Sequence, residues 1–386
     1  MSEKRANNHE VKKINRNQIY RYVCKYGKVS KPDIAKALGI SMPTIHQNIR
    51  ELMEWGLIHE DGVFESTGGR KARVIAPVYN FRYAIGIDIT KNHVGFALTD
   101  LSGNVLIHRR QYMPFANERQ YYAGLGEMAE EFLCSSDIPK DRFLGFGISV
   151  PGIVDARNDV ITFSHVLGIT NVPCSIFSQF IPYPCIFTND ANAALIAEMF
   201  RFSERKPTVL LSLSNSVGGA IFYESSNGLE EKQVGDSLYY GDNFRSGEFG
   251  HMTLFPGGKK CYCGKIGCTD AYLSAKILSE HTDGKLEIFF EEMEKGNKEF
   301  AQIWEEYLSN LAIAVNNLRM FSDCQVIIGG YVGSFIEPYL SYLQEKAAAL
   351  NTFENNALYI KPCHYKVEAS ALGAALRLVE GFLYTI

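Results

Sequence analysis

The sequence predicts an α/β protein: a winged helix-turn-helix head over residues 1–80, followed by a duplicated body of two α/β lobes with a cleft between them. Three observations carry that prediction. Charge is divided, since residues 1–80 hold 14 Lys and Arg against 8 Asp and Glu, while the rest of the 386 residues hold 25 against 35. Apolar residues recur at helical spacing in the head and in short strand-like runs beyond it. A strand, turn, strand theme near Tyr83 returns near Val209. With 46% hydrophobic and 21% charged residues, the chain has material for two or three cored domains, which excludes a peptide hormone, a disordered tail or a fibrous repeat.

In the head, Asn15 and Gln18 have capping-box spacing, and Ile19, Tyr22, Val23 and Tyr26 follow at i, i+3, i+4, i+7 until Gly27; this predicts one amphipathic helix. Ser30 caps a second, with Pro32 in its first turn, Asp33 closing a box and Gly39 as the break. Ser41 caps a third, whose Ile45, Ile49, Leu52 and Met53 form an inward stripe and whose other face shows Thr44, His46, Gln47 and Arg50. Amide and guanidinium groups on such a helix pair with base edges in a major groove. A small helical bundle with a solvated face has the same periodicity. The next stretch favours the DNA reading: strands at Leu57–His59 and Val74–Val78 flank a glycine-containing hairpin with Arg70, Lys71 and Arg73, cations suited to phosphates or a minor groove.

The body begins with strands at Tyr83–Ile89, Val94–Asp100 and Val105–Arg109, then a helix near Gly124–Cys134 and a strand at Phe143–Val150. The theme returns as Val209–Ser214, a Gly218-Gly219 turn and Ala220–Tyr223. The chargeless run Ile161–Asn189 holds three prolines and many polar residues, so it reads as buried loops and strands and not as a membrane span. The polar N-terminus shows no export signal, and six scattered cysteines fit a reducing cytoplasm.

The sharpest local signal is His251 with Cys261, Cys263 and Cys268. Three thiolates within eight residues, interleaved with glycines, plus one imidazole make a tetrahedral donor set for a structural Zn2+ with no place for a catalytic water. Thr188-Asn189-Asp190-Ala191-Asn192 lies between an apolar strand and a helix, where Asp190 is either a base for a hydroxyl or part of a helix start. Ser246-Gly247-Glu248-Phe249-Gly250-His251 is a second polar loop leading into the cysteines.

Together with Val150-Pro151-Gly152-Ile153-Val154-Asp155, Ile327-Ile328-Gly329-Gly330 and Ala371-Leu372-Gly373-Ala374-Ala375, these stretches resemble the ROK family of repressors and sugar kinases. The head is similar to the winged helix of that family's xylose and N-acetylglucosamine repressors and is absent from its kinases. The resemblance implies an actin-like ATPase (ribonuclease H-like) two-lobe fold, the first lobe spanning 81–188 with a C-terminal helix 370–386 and the second 189–369. It implies a sugar pocket of Asn189, Asp190, Glu248 and His251, with Asp270 where the family usually has Glu. It also implies operator DNA as partner, bound by a homodimer or homotetramer, and a monosaccharide or derivative as effector.

The family's kinases hold ATP through a D-x-G-G-T loop and two further glycine-rich loops. Here Asp88 is followed by Ile89-Thr90-Lys91-Asn92, without glycine, and Gly329-Gly330 by Tyr331. Backbone amides approach phosphate oxygens closely only where no side chain intervenes. The expectation is therefore sugar binding without phosphoryl transfer, in a regulator that is not an enzyme. The alternative is an ATP-dependent sugar kinase that kept a DNA-binding head.

Overall fold

The computed structural model describes residues 8–64, 72–201, 205–223 and 233–386. The head comprises α1 (Asn8–Tyr26), α2 (Lys31–Leu38), α3 (Met42–Glu54), β1 (Ile58–Val63) and β2 (Arg73–Pro77). Ser30 and Asp33 form the expected reciprocal cap: the Ser30 hydroxyl accepts from Asp33 N at 3.3 Å, and the Asp33 carboxylate accepts from Ser30 N at 3.2 Å. Gly39, at φ 64°, turns the chain so that Ser41 starts α3 two residues later. β1 and β2 pair antiparallel, and a bridge from Val29 to Ile75 adds a short third strand to the wing. Arg70 and Lys71 lie outside the described residues.

One local signal is corrected. The first helix starts at Asn8, so Asn15 and Gln18 are interior to it. Tertiary contacts hold the extra turns, since Lys12 and Arg16 both pair with Glu51 on α3, and Arg16 Nε donates to the Ile386 carbonyl at 2.7 Å.

The first lobe is built on β3 (Tyr83–Ile89), β4 (His93–Asp100) and β5 (Val105–Tyr112), then α4 (Arg119–Ser135) and β6 (Phe143–Val150). A small antiparallel sheet of β7 (Ile153–Asp155), β8 (Val160–Ser164) and β9 (Ile169–Pro173) follows, with α5 (Cys174–Ser178), β10 (Cys185–Asn189) and α6 (Asp190–Phe200). The main sheet runs β10-β6-β3-β4-β5. The second lobe contains β11 (Thr208–Leu213), β12 (Val217–Phe222), α7 (Asp270–Leu273), α8 (Lys276–Ser279), α9 (Leu286–Glu294), α10 (Lys298–Ser322), β13 (Gln325–Gly329), α11 (Gly330–Gly333), α12 (Leu340–Leu350) and β14 (Ile360–Pro362). Its sheet runs β12-β11-β13-β14.

The two sheets repeat one topology. β11 pairs antiparallel with β12 and parallel with β13, which pairs parallel with β14. β3, β4, β6 and β10 have the same directions in the same order. The duplication inferred from sequence is thus present. Its glycine pair was misread, because Gly218 and Gly219 lie inside β12 and residues Ser214–Ser216 make the turn. A Cβ on Gly219 would lie 2.1 Å from the Phe249 ring, so the missing side chain serves close approach and not a turn.

α13 (Ala369–Thr385) closes the chain and packs on α6 and on β3 and β6. Its C-terminal end carries the head: Asn17 donates to Leu383 O, Phe81 packs on Phe382, and one hydrophobic cluster runs from Ile19, Ile34 and Ile49 through Leu376, Val379 and Leu383. Burial of that continuous apolar surface makes the head a docked unit. Among the described residues no helix is long and apolar enough to cross a membrane.

Candidate functional site

The cysteine knuckle forms because short backbone bonds fold residues 259–268 on themselves. Cys261 N donates to Lys265 O at 2.8 Å and Gly267 N to Lys259 O at 2.8 Å. The donor atoms of His251, Cys261, Cys263 and Cys268 lie within 4.8 Å of one another. Cys263 Sγ and Cys268 Sγ are 3.8 Å apart, which is about the edge of a tetrahedron of thiolates held at ~2.3 Å from zinc. His251 Nδ1 is buried with no hydrogen-bond partner. An orphaned imidazole nitrogen beside three thiols fits a metal ion and is costly otherwise. The cluster could hold one.

The same loop reaches the cleft. Phe249 packs against Gly219, and Glu248, just before it, opens to solvent between the lobes. Opposite, Asn189 caps α6: its Oδ1 accepts from Asn192 N at 3.0 Å, and its Nδ2 donates to Gly152 O at 3.0 Å and to Asp190 Oδ1 at 2.9 Å. Asp190 Oδ1 also accepts from Ala191 N at 2.9 Å. Asp190 is pushed up to about 7, chiefly by burial, then by the Asp88 charge and by Glu248. Glu248 lies within electrostatic reach of His165 and Arg245. Carboxylates and an amide close to one another, with Asn189 and Asp190 held from behind and Glu248 free, suit a polyol, whose hydroxyls both donate and accept.

Asp270 lies beside the knuckle, two residues after Cys268. It is only 3% exposed, and its Oδ2 accepts from Val217 N at 2.6 Å. Its carboxylate ties the β11–β12 turn to the knuckle. With one methylene fewer than Glu, the side chain ends at the backbone.

At the other end of the cleft Asp88 accepts from the Ser149 hydroxyl at 2.6 Å and is pushed up to about 6, chiefly by burial. The loop after it closes on itself, because Thr90 Oγ1 accepts from His93 N and donates to His93 O, both at 3.0 Å. Arg110, on β5, donates to the Tyr331 hydroxyl at 2.7 Å, and its guanidinium lies 5.2 Å from that ring's centroid. Tyr331 belongs to α11, so this contact joins the two lobes. Neither Arg110 nor Ser149 was singled out from the sequence.

On the head, Ser41, His46, Gln47 and Arg50 are exposed and Thr44 half-exposed. Ser41 Oγ and Thr44 Oγ1 are hydrogen-bonded at 2.9 Å, Arg50 faces Glu54 at 3.7 Å, and Gln47 donates to Glu51 at 3.4 Å. Exposed pairs of this kind are weak and exchange readily for other partners. Arg73 is paired with Glu60 across the wing.

The body matches the ROK family over residues 84–380. The chain belongs to the ROK family. Residues 13–59 match the winged helix-turn-helix DNA-binding family. Among the relatives of this ROK chain, the xylose repressor of Bacillus spizizenii (strain ATCC 23059 / NRRL B-14472 / W23) is 28% identical over 273 residues, covering 69% of this chain and 67% of that one. The crystal structure of a ROK family transcriptional regulator, homologue of the E. coli MLC protein, covers 97% of each chain at 21% identity and TM-score 0.72. A ROK family glucokinase from Streptomyces griseus, solved with glucose and AMPPNP, covers 76% of this chain and 98% of its own at 20% identity and TM-score 0.62.

Within the ROK body, the sequence reading missed His165. Its ring centroid lies 5.7 Å from that of His251 and 5.5 Å from that of Tyr262. A single histidine in a chargeless run has no motif around it. Only the fold brings it to the knuckle.

Proposed function

We propose that this ROK protein is a sugar-responsive transcriptional repressor, whose head binds operator DNA and is released when a monosaccharide or derivative occupies the cleft. The observation that carries the proposal is α13. Near its start the Ser370 hydroxyl donates to the Asp190 carbonyl at 3.1 Å, and at its end Leu383 and Ile386 accept from Asn17 and Arg16 of the head. A helix of 17 residues, about 25 Å long, thus runs from the cleft to the DNA-binding unit. Further along it, buried Glu380 accepts from Val234 N at 2.7 Å, so a second-lobe segment also bears on it.

In this reading Asn189, Asp190, Glu248, His251 and Asp270 bind sugar, Asp270 also fixing the β11–β12 turn through Val217 N. Zn2+, held by His251, Cys261, Cys263 and Cys268, is structural; when bound it supplies a crosslink that fixes the Glu248–His251 loop. Ser41, Thr44, His46, Gln47 and Arg50 face the major groove, with Arg70, Lys71 and Arg73 on the phosphates. Residues 1–80 form the DNA-binding unit, 81–188 with 370–386 one lobe and 189–369 the other. The protein acts in the cytoplasm as a homodimer or homotetramer. ATP turnover is absent, because Tyr331 and the glycine-free loop after Asp88 occupy the phosphate end.

Gel-shift titration with operator candidates, at two salt concentrations and with a monosaccharide panel, tests the proposal. Binding should weaken steeply with salt, and one sugar should release the DNA. A full switch requires the sugar to favour the released state by about 5 kcal/mol. DNA affinity indifferent to salt and to every sugar would overturn it, as would ADP release at about 1 s⁻¹ or faster.

A further inference from the structure

His165 stands in the turn between β8 and β9, held by its neighbour Ser164. The Ser164 hydroxyl accepts from Leu167 N at 3.1 Å and donates to Pro151 O, and Ser164 is only 2% exposed. Gly152 lies directly beneath, since a Cβ there would sit 2.6 Å from Phe163 O and 2.8 Å from Ser164 Cβ. Gly152 O is the acceptor used by Asn189. The His165 turn is therefore one residue layer from the amide that caps α6.

On its other side the His165 ring meets the knuckle. His165, His251 and Tyr262 form a triangle with centroid separations of 5.5 to 5.7 Å, their planes steeply inclined to one another. Phe163 packs edge-on against His165 at 4.3 Å and orients it. His165 comes from the first lobe and the other two rings of the triangle from the second. Its imidazole is exposed to the cleft and, among the described residues, makes no hydrogen bond; the Glu248 carboxylate makes none either. A neutral imidazole offers one donor and one acceptor, and Glu248 is an acceptor. A hydroxyl group answers both. An acetamido group in its place is three heavy atoms larger than a hydroxyl and would crowd the packed rings.

We infer that His165 is a specificity-determining residue of the pocket, reading with Glu248 one free hydroxyl of a neutral monosaccharide and rejecting an N-acetylamino group at that position. This rests on the sugar-pocket reading above. Calorimetric titration of the zinc-loaded full chain with D-xylose, D-glucose and N-acetyl-D-glucosamine tests it, using wild type, His165→Ala and His165→Gln. Wild type should bind D-xylose or D-glucose at least about tenfold more tightly than N-acetyl-D-glucosamine. His165→Ala should lose about tenfold for the preferred sugar and much less for the N-acetyl sugar, with zinc content unchanged. His165→Gln, which keeps a donor and an acceptor, should recover most of the loss.

Unchanged affinity in His165→Ala, equal losses for all sugars, or a wild type that prefers N-acetyl-D-glucosamine would each overturn the inference. Should His165→Ala lose its metal, His165→Gln carries the comparison, and a tenfold drop there also overturns it. A wild type silent to all three sugars is a different result: it removes the pocket reading itself.

Discussion

The two ends of the interlobe cleft have been treated in opposite ways. At the knuckle end, Glu248 stands open to solvent without a hydrogen bond among the described residues, while Asn189 and Asp190 are held from behind by backbone. At the Asp88 end the protein answers its own groups: Ser149 bonds Asp88, Thr90 closes its loop, and Arg110 reaches Tyr331 across the lobes. A binding site keeps polar groups poised for a partner that has not yet arrived. The Asp88 end has satisfied its groups within the protein.

Metal removal should break this comparison most severely. Cys263→Ser takes one thiolate from the cluster that holds His251, and the loop carrying Glu248 runs directly into it. The expected outcome is loss of one zinc per chain and a fall in sugar affinity of about a hundredfold, the upper range for disturbing groups that orient a site. Operator binding without sugar should survive, because none of the knuckle's donors belongs to the hydrophobic cluster that holds the head. Elemental analysis with calorimetry reads the result. Full sugar affinity in metal-free protein would detach the knuckle from the cleft.

Cutting the latch at the other end should have a smaller effect. Arg110→Ala with Tyr331→Gly removes one interlobe hydrogen bond, a cation–π contact and the packing of a half-buried ring, together worth about 2 kcal/mol. Thermal unfolding should fall by a few degrees and ATP turnover should stay undetectable, since the loop closed by Thr90 still lacks glycine. If the double variant phosphorylates sugar, the cleft is a kinase blocked by one contact, and the two ends differ far less than they seem to on structure alone.

How much of this was legible in sequence follows from the range of the interactions. The Ser30–Asp33 cap and the strands Tyr83–Ile89 and Phe143–Val150 are written within a few residues and stand as read, and the knuckle's four donors, spread from His251 to Cys268, are brought close together. The start of α1 was misread because Glu51, distant in sequence, pairs with Lys12 ahead of Asn15. Gly219 looked like a turn until Phe249 was found against it. The inward carboxylate of Asp270, the Arg110–Tyr331 contact and the placement of His165 are pairings across elements. No periodicity or cap encodes them.

The subtlest test concerns the charge shared along the cleft. The folded-state pKa of Asp190 is raised to about 7 and that of Asp88 to about 6, burial being the largest cause for both. Raised carboxyls bind more protons folded than unfolded, so their contribution to stability falls as pH rises, starting near the unfolded value of ~3.9 and ending above the folded one. Asp190→Asn keeps a side-chain oxygen for Ala191 N and removes the charge. Its stability relative to wild type should therefore grow between pH 5 and pH 8, by on the order of 1 kcal/mol once water in the open cleft is allowed for. Chemical denaturation of both proteins across that range measures the difference. A gap that stays flat with pH would show Asp190 ionised throughout, solvated like an ordinary surface carboxylate; the knuckle end would then be as open as bulk water, and its contrast with the Asp88 end would rest on geometry alone.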